Sequence, residues 1–443
     1  MTLNISSARF PDRVKPEDNK LKVHDRAAHD WYRFVLSFPP HLVRLYLEKF
    51  GVCAGQTVLD PFCGTGTTLV ECKKVGITSA GTEPNPVPHF ASRVKTTWNI
   101  DPDDLLAQAQ RAARAATTRL EKDGVDDLAD LPLFERRKKP APTLLTIPAE
   151  EMSLLLKDSI SPIPLHKTLV LLDAINESVD MVLRDHAILA LAKTIVFSAS
   201  NLHFGPEVGV GRAKTDAPVV TQWLAEVESI ACDIRYLQHM ASTQATVFQA
   251  DARDLTSVLP PKSIDAVITS PPYPNEKDYT RTTRLETVLL GFIRTKRELR
   301  ELKQGLVRSN TRNVYKADED HLHVSTNTEI ERIAEAIEAR RVELRKTSGW
   351  ERLYPRVTRL YFGGMARHLA GLREVLKPGA QLAYVVGDQA SYLRVMIRTG
   401  SLLANIAKSL GYSVTGIDLF RTRLATATKE QLREEVVLLR WPG

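Results

Sequence analysis

The sequence predicts an α/β protein built on one doubly wound sheet. Three observations carry this: short apolar, β-rich runs recur along the chain, helical patterns separate them, and the two earliest runs lead into glycine-containing turns. In order, the expected strands are residues 57–60, 77–81, 246–250, 264–269, 381–386, 414–420 and 435–440, the last two as a closing pair. With their intervening helices they make a seven-stranded sheet.

Roughly 150 residues separate the second and third expected strands, far more than a compact crossover needs. The spacing there is helical over 101–122, ending at Gly124, and again over 149–157, 166–200 and 219–240, with a basic, proline-containing connector at 132–142. Leu169, Leu172, Ile175, Val179 and Val182 form a packing stripe. Residues 96–243 therefore read as a mostly helical insertion and a recognition subdomain. A second, heavily charged helical interruption runs over 274–350. The core is then assembled from residues 1–95, 244–273 and 351–443.

Composition sets the class. The chain has 443 residues, 43% hydrophobic and 26% charged, which are ordinary globular values. No window approaches the ~18 apolar residues of a membrane span, and the polar first twenty residues lack an export signal, so no membrane partner and a cytoplasmic location are expected. Cys53, Cys63, Cys72 and Cys232 form no CxxC pair and have no histidine at zinc-ligand spacing, so no disulfide framework and no metal are expected. A net charge of +7 is compatible with a polyanionic partner.

The first chemical motif is Val58-Leu59-Asp60-Pro61-Phe62-Cys63-Gly64-Thr65-Gly66-Thr67-Thr68, a strand, a turn on two glycines and a helix start. Gly64 and Gly66 let backbone approach a ligand closely, as a nucleotide-type cofactor requires at a strand's carboxyl end. No lysine follows the second glycine, so this is not a Walker A loop, and Leu69 stands where a dinucleotide fingerprint has its third glycine. The next strand leads to Glu83, whose two oxygens match the two hydroxyls of a ribose. Asp251, followed by Ala252 after the third strand, is placed to accept from an adenine amine.

The second motif is Ser270-Pro271-Pro272-Tyr273, directly after the fourth strand. Two prolines stiffen the backbone and remove two amide donors, leaving carbonyls free to accept. An exocyclic amine such as cytosine N4 is a poor nucleophile because its lone pair is delocalised into the ring. If Ser270 Oγ and the Pro271 carbonyl accept its protons, the nitrogen can pyramidalise towards a sulfonium methyl. Tyr273 would stack on a flipped-out base, since the target nitrogen is out of reach inside a duplex. The strand carrying this motif should neighbour the Asp60 strand at the topological switch point.

These two motifs resemble those of the amino-methyltransferases that modify DNA, with DPFCGTGT similar to the S-adenosylmethionine motif and SPPY to the catalytic motif. The resemblance extends upstream to Phe38-Pro39-Pro40-His41-Leu42, like the segment over the methionine end of the cofactor, and downstream to Leu376-Lys377-Pro378-Gly379 before a strand and to residues 433–439. It implies a Rossmann-like, seven-stranded class I methyltransferase sheet with an antiparallel last strand, and S-adenosylmethionine as cofactor. It further implies Phe38, Pro39, Pro40, Asp60, Pro61, Phe62, Cys63, Gly64, Thr65, Gly66, Thr67, Glu83, Asp251 and Ala252 around the cofactor, and Ser270 to Tyr273 at the reaction. Serine at the first catalytic position is usual for cytosine-N4 enzymes, whereas aspartate or asparagine more often accompanies adenine-N6. The motif order is not permuted. The large insertion precedes the third strand, away from the more familiar place of a target-recognition domain. Chemistry at carbon five of cytosine would need a nucleophilic cysteine, commonly after proline, and the chain has no Pro-Cys dipeptide.

Residues 281–314 hold nine Lys or Arg against three Glu. Arg281, Arg284, Arg308 and Arg312 are therefore candidates for phosphate contact, as are Arg212 and Lys214 in the glycine-rich loop 205–218. The functional expectation is a DNA cytosine-N4 methyltransferase acting on duplex DNA, in a restriction-modification or defence setting with a possible cognate endonuclease. Adenine-N6 transfer, an RNA base methyltransferase and a non-catalytic nucleic-acid-binding protein are the alternatives.

Overall fold

The computed structural model describes residues 21–32, 37–128, 143–205, 207–424 and 431–443. Its centre is a seven-stranded sheet formed by β1 (Thr57–Asp60), β2 (Thr78–Thr82), β5 (Ala245–Phe248), β6 (Ile264–Thr269), β7 (Leu376–Gly387), β8 (Ser413–Leu424) and β9 (Gln431–Arg440). Two further strands, β3 (Leu202–Phe204) and β4 (Val208–Val210), form a separate antiparallel hairpin. The sheet order is β5-β2-β1-β6-β7-β9-β8, so strand progression reverses between β1 and β6. The first five strands are parallel, and β9 runs antiparallel between β7 and β8.

Alternation of side chains along each strand feeds two cores. Val58, Ala266, Ile268, Ala383, Val385 and Val436 face the helix Pro40–Phe50, where Leu42, Val43, Tyr46 and Leu47 meet them. Leu59, Val267, Leu382, Tyr384, Val386 and Val437 face the helices Tyr354–Val375 and Thr399–Ser409 on the other side. The seven strands occur where the apolar runs predict them, with ends shifted by a few residues.

The stretch between β2 and β5 is largely helical. Helices Pro102–Lys122, Pro162–Ser178, Met181–Thr194 and Val220–Leu237 share one core with helix Pro86–Lys95, which follows β2. Asp101 caps the first of them by accepting from the amides of Asp103 and Asp104. Leu285, Val288 and Leu289, from the stretch after β6, enter the same core. The connector expected at 132–142 lies outside the described residues.

Two expectations are corrected. Leu376 to Gly379 do not precede β7 but open it: Ile264 pairs with Leu376 and Ala266 with Gln381, a bulge that Gly379 accommodates at φ 88°. The segment after Gly205 is not a free loop either, since β4 belongs to it. Lys214 is tied as well, its amide donating to Asn201 Oδ1 at 2.9 Å and its ammonium to the Ser198 carbonyl at 2.5 Å.

Among the described residues no helix is long and apolar enough to cross a membrane.

Candidate active site

β1 ends in Asp60, and the chain turns through Pro61 to Gly66 into the helix Thr67–Lys74. Asp60 is fully buried. Its carboxylate accepts from Thr68 Oγ1 at 2.7 Å, Thr269 Oγ1 at 2.6 Å and the Phe62 amide at 3.1 Å, and burial still pushes its pKa up to about 6. This corrects its expected role: Asp60 fastens the turn to β6 from behind and does not face the ligand space. Pro61, Gly66 and Pro40 also lie behind the lining. The Pro61 carbonyl accepts from Thr82 Oγ1 at 2.7 Å, and Pro40 is buried in the first turn of its helix. Gly66 holds φ 84°, where a Cβ would meet Ser92 Oγ at 2.5 Å. Sequence reasoning missed Lys95, a buried lysine whose ammonium donates to the Thr65 carbonyl at 2.8 Å.

The remaining expected residues line one cavity of about 820 Å³ at the carboxyl ends of the parallel strands. Phe38, Pro39, Phe62, Cys63, Gly64, Thr65, Thr67, Glu83, Asp251 and Ala252 line it together with Ser270, Pro271, Pro272 and Tyr273. Glu83 accepts from the Gly64 amide at 3.1 Å and the Asn85 amide at 2.8 Å, and burial pushes it up to about 7. Asn85 lines the same end, with an amide oxygen that has no partner among the described residues. A carboxylate, an unpaired carbonyl and the Phe62 ring suit the hydroxyls, amine and base of a nucleoside. The volume falls within the ~300–1,000 Å³ of small-molecule sites.

Asp251 differs from expectation in one respect. Both of its oxygens are engaged by Arg253, at 2.6–3.0 Å, and any adenine amine would use a remaining lone pair. Arg253 also donates to Asp320 Oδ2 at 2.5 Å and to the Gln304 carbonyl at 3.0 Å, tying the site to the second insertion. Behind Ala252 and Phe62 stands His368, buried, with its pKa lowered to about 4 by desolvation and hence neutral. It donates from Nδ1 to the Ala252 carbonyl and accepts at Nε2 from the Tyr384 hydroxyl, each at 2.7 Å, and its ring packs edge-on against Phe62. Nothing in the sequence marks this histidine.

At the end of β6, Ser270 Oγ donates to the Val385 carbonyl at 3.2 Å. The Tyr273 amide donates to the Tyr279 hydroxyl at 3.2 Å, and the Tyr273 ring lies over Gly387, where a Cβ would approach it to 3.1 Å. Gly387 thus makes room for this ring. Arg421 on β8 and Glu434 on β9 are hydrogen-bonded to each other at 2.5 Å and complete that side of the cavity.

Residues 304–313 form a strap from one end of the cavity to the other. Near Gln304 it meets Arg253, Gly305 packs on Pro84, and further along Thr311 bonds Glu276 in the loop after Tyr273. Arg308 sits inside this strap, buried, with its guanidinium on Asp318 and on the carbonyls of Lys303, Gln304 and Leu306. It is therefore not a phosphate contact. Arg284 is likewise spent on Thr280 and the Leu154 carbonyl, while Arg281 is half-buried with an Nε that has no partner among the described residues. Arg212 and Arg312 are exposed, and Arg312 faces Glu207 beside the cavity at 3.8 Å.

Comparison with known proteins agrees with this arrangement. Residues 10–88 match the model of a family described as DNA methylase, of N6 and N4 type. The type II methyltransferase M.BsoBI of Geobacillus stearothermophilus is 27% identical over 94% of this chain and 84% of its own length. M.AvaI of a Nostoc species is 24% identical over 93% and 86%. A tRNA (guanine(10)-N2)-dimethyltransferase of Methanothermobacter thermautotrophicus is similar only locally, 33% identical over 18% of this chain. The sheet order and the paired motifs agree with these likenesses, and the chain is similar to the N4/N6 DNA methylases, over residues 10–88 by the family model and over most of its length by the type II methyltransferases.

Proposed function

We propose that the protein transfers a methyl group to the exocyclic N4 of cytosine in DNA, the base being flipped out of the duplex. S-adenosylmethionine is the methyl donor of this fold and family and, when bound, supplies an electrophilic sulfonium methyl. Glu83, Asn85, Phe62 and the turn from Cys63 to Thr65 would hold its nucleoside, and Phe38 and Pro39 its methionine end.

The observation that supports the reading best is the continuity of one cavity from the Gly64 turn to Ser270–Tyr273, across the β1–β6 reversal. Ser270 adds to it. A hydroxyl has one proton and two lone pairs, and this one gives its proton to Val385, leaving lone pairs to accept from an amine. The Pro271 carbonyl supplies a second acceptor. Localising the nitrogen lone pair in this way makes direct displacement at the methyl feasible without a covalent enzyme intermediate. Tyr273 stacks on the base and excludes water. By likeness to the type II methyltransferases, the product protects DNA from a cognate endonuclease.

The test is incubation with labelled S-adenosylmethionine and duplex DNA or RNA, digestion to nucleosides and identification by mass. N4-methylcytosine from DNA is the expected product. Recovery of 6-methyladenine alone would transfer the assignment to adenine-N6, and label only in RNA would overturn the DNA reading.

A further inference from the structure

The cavity continues past Ser270–Tyr273 to a wall that the displacement step leaves without a role. The loop after Tyr273 and the far end of the strap build it together. Glu276 holds left-handed backbone, φ 66°, and its carboxylate accepts from the Thr311 amide at 3.0 Å and the Thr311 hydroxyl at 2.9 Å. Its own amide donates to the Ser309 carbonyl at 3.2 Å. A non-glycine residue persists in that conformation only where its surroundings fix it, and such positions gather at ligand clamps.

Two asparagines in this wall are treated differently. Asn310 is fully buried with both ends of its amide engaged, its Nδ2 donating to the Lys277 carbonyl at 2.9 Å and its Oδ1 accepting from the Arg312 amide at 3.0 Å. Asn313 is 2% exposed and lines the cavity, yet its amide oxygen is buried without any hydrogen-bond partner among the described residues. A buried amide oxygen left unpaired is costly, and such groups in folded proteins are generally satisfied by something. Asn313 lines the cavity, so a ligand seated there can supply the missing partner.

We propose that Asn313 is a recognition residue for the target base, its amide hydrogen-bonding the base edge beside the reacting amine. An amide carries an acceptor and a donor side by side, and rotation about its last torsion exchanges them, so it can complement the adjacent donor and acceptor atoms of a base edge. Position favours the base over the cofactor. Asn313 shares its wall with Glu276, three residues after Tyr273, whereas Asn85 and Glu83 stand at the nucleoside end. The assignment rests on the methyl-transfer reading above, and Asn313 takes no part in the displacement itself.

The experiment compares wild type, Asn313→Ala and the near-isosteric Asn313→Asp. It measures kcat/KM for DNA methylation, affinity for S-adenosylmethionine by calorimetry and the urea midpoint. Both variants should lose about ten- to a hundredfold in kcat/KM, the size of one base-edge contact, with cofactor affinity and midpoint unchanged. Wild-type kcat/KM in either variant overturns the inference. So does a parallel loss of cofactor affinity in a variant with an unchanged midpoint, which would turn Asn313 towards the nucleoside. If Asn313→Ala fails to fold, Asn313→Asp carries the same comparison. Absence of transfer by the wild type would instead remove the methyl-transfer reading, and this inference with it.

Discussion

At Glu83 burial sets a pH dependence whose sign can be worked out. The carboxyl is raised to about 7 against a usual 4.5, with the Gly64 and Asn85 amides opposing the shift only in part. Ionised, it would accept from the ribose hydroxyls of the proposed cofactor with both oxygens; protonated, it loses acceptor capacity. Affinity for S-adenosylmethionine should therefore fall as pH drops below about 7, by up to tenfold per unit, and change little above it. Calorimetry between pH 6 and pH 8.5 checks this; Glu83→Ala should bind weakly with a flat profile. A steeper fall towards high pH would mean that the neutral form is the binding one. Asp60, raised to about 6, has no contact with the cavity and affects the ligand only through the turn it fastens.

Among the elements, the strap is where charge was hardest to interpret from sequence. A basic run after Ser270–Tyr273 reads as a phosphate surface, yet Arg308 is bound to Asp318, ten residues on, while Arg212 in the first insertion is exposed. Charge density along a sequence cannot separate these cases, because the partner that neutralises an arginine is fixed by tertiary packing. The two should respond oppositely. Arg308→Ala strands a largely buried carboxylate and should destabilise the fold by about 3 kcal/mol in urea unfolding. Arg212→Ala should leave stability unchanged and, by removing one phosphate contact, lower the slope of log affinity against log salt by about one. An unchanged salt slope would remove Arg212 from the DNA surface. The hairpin β3–β4 escaped notice because each strand is only three residues long and Gly209 interrupts its apolar pattern. Ser309, Asn310, Thr311 and Asn313, polar residues within the expected charged helical interruption, are buried.

For the molecule as a whole, the cavity joins residues 37–39 to β8 and β9, so ligand binding and folding are linked. At a concentration about one hundred times its dissociation constant, S-adenosylmethionine should raise the free energy of unfolding by about 2.7 kcal/mol without DNA, and much less for Glu83→Ala. An unshifted wild-type urea midpoint would contradict the site. The sheet itself was legible because buried strands must be apolar and their ends must turn; Thr57–Asp60 and Ile264–Thr269 announce themselves, and their adjacency followed from the switch-point rule. What stayed hidden were groups acting through others, His368 and Lys95, whose only signature is burial.

The place of β9 has a further consequence, for the order in which the enzyme is made. Among the described residues β8 has no neighbour in the sheet except β9, which comes after it in the chain and lies between it and β7. While residues 431–440 are still within the ribosome, β8 lacks its strand partner and the Arg421–Glu434 side of the cavity is not formed. Every other residue that lines the cavity has by then been synthesised. A nascent chain therefore holds the Asp60 turn and Ser270–Tyr273 before it holds a closed cavity, which is complete only once β9 has emerged and paired with β8.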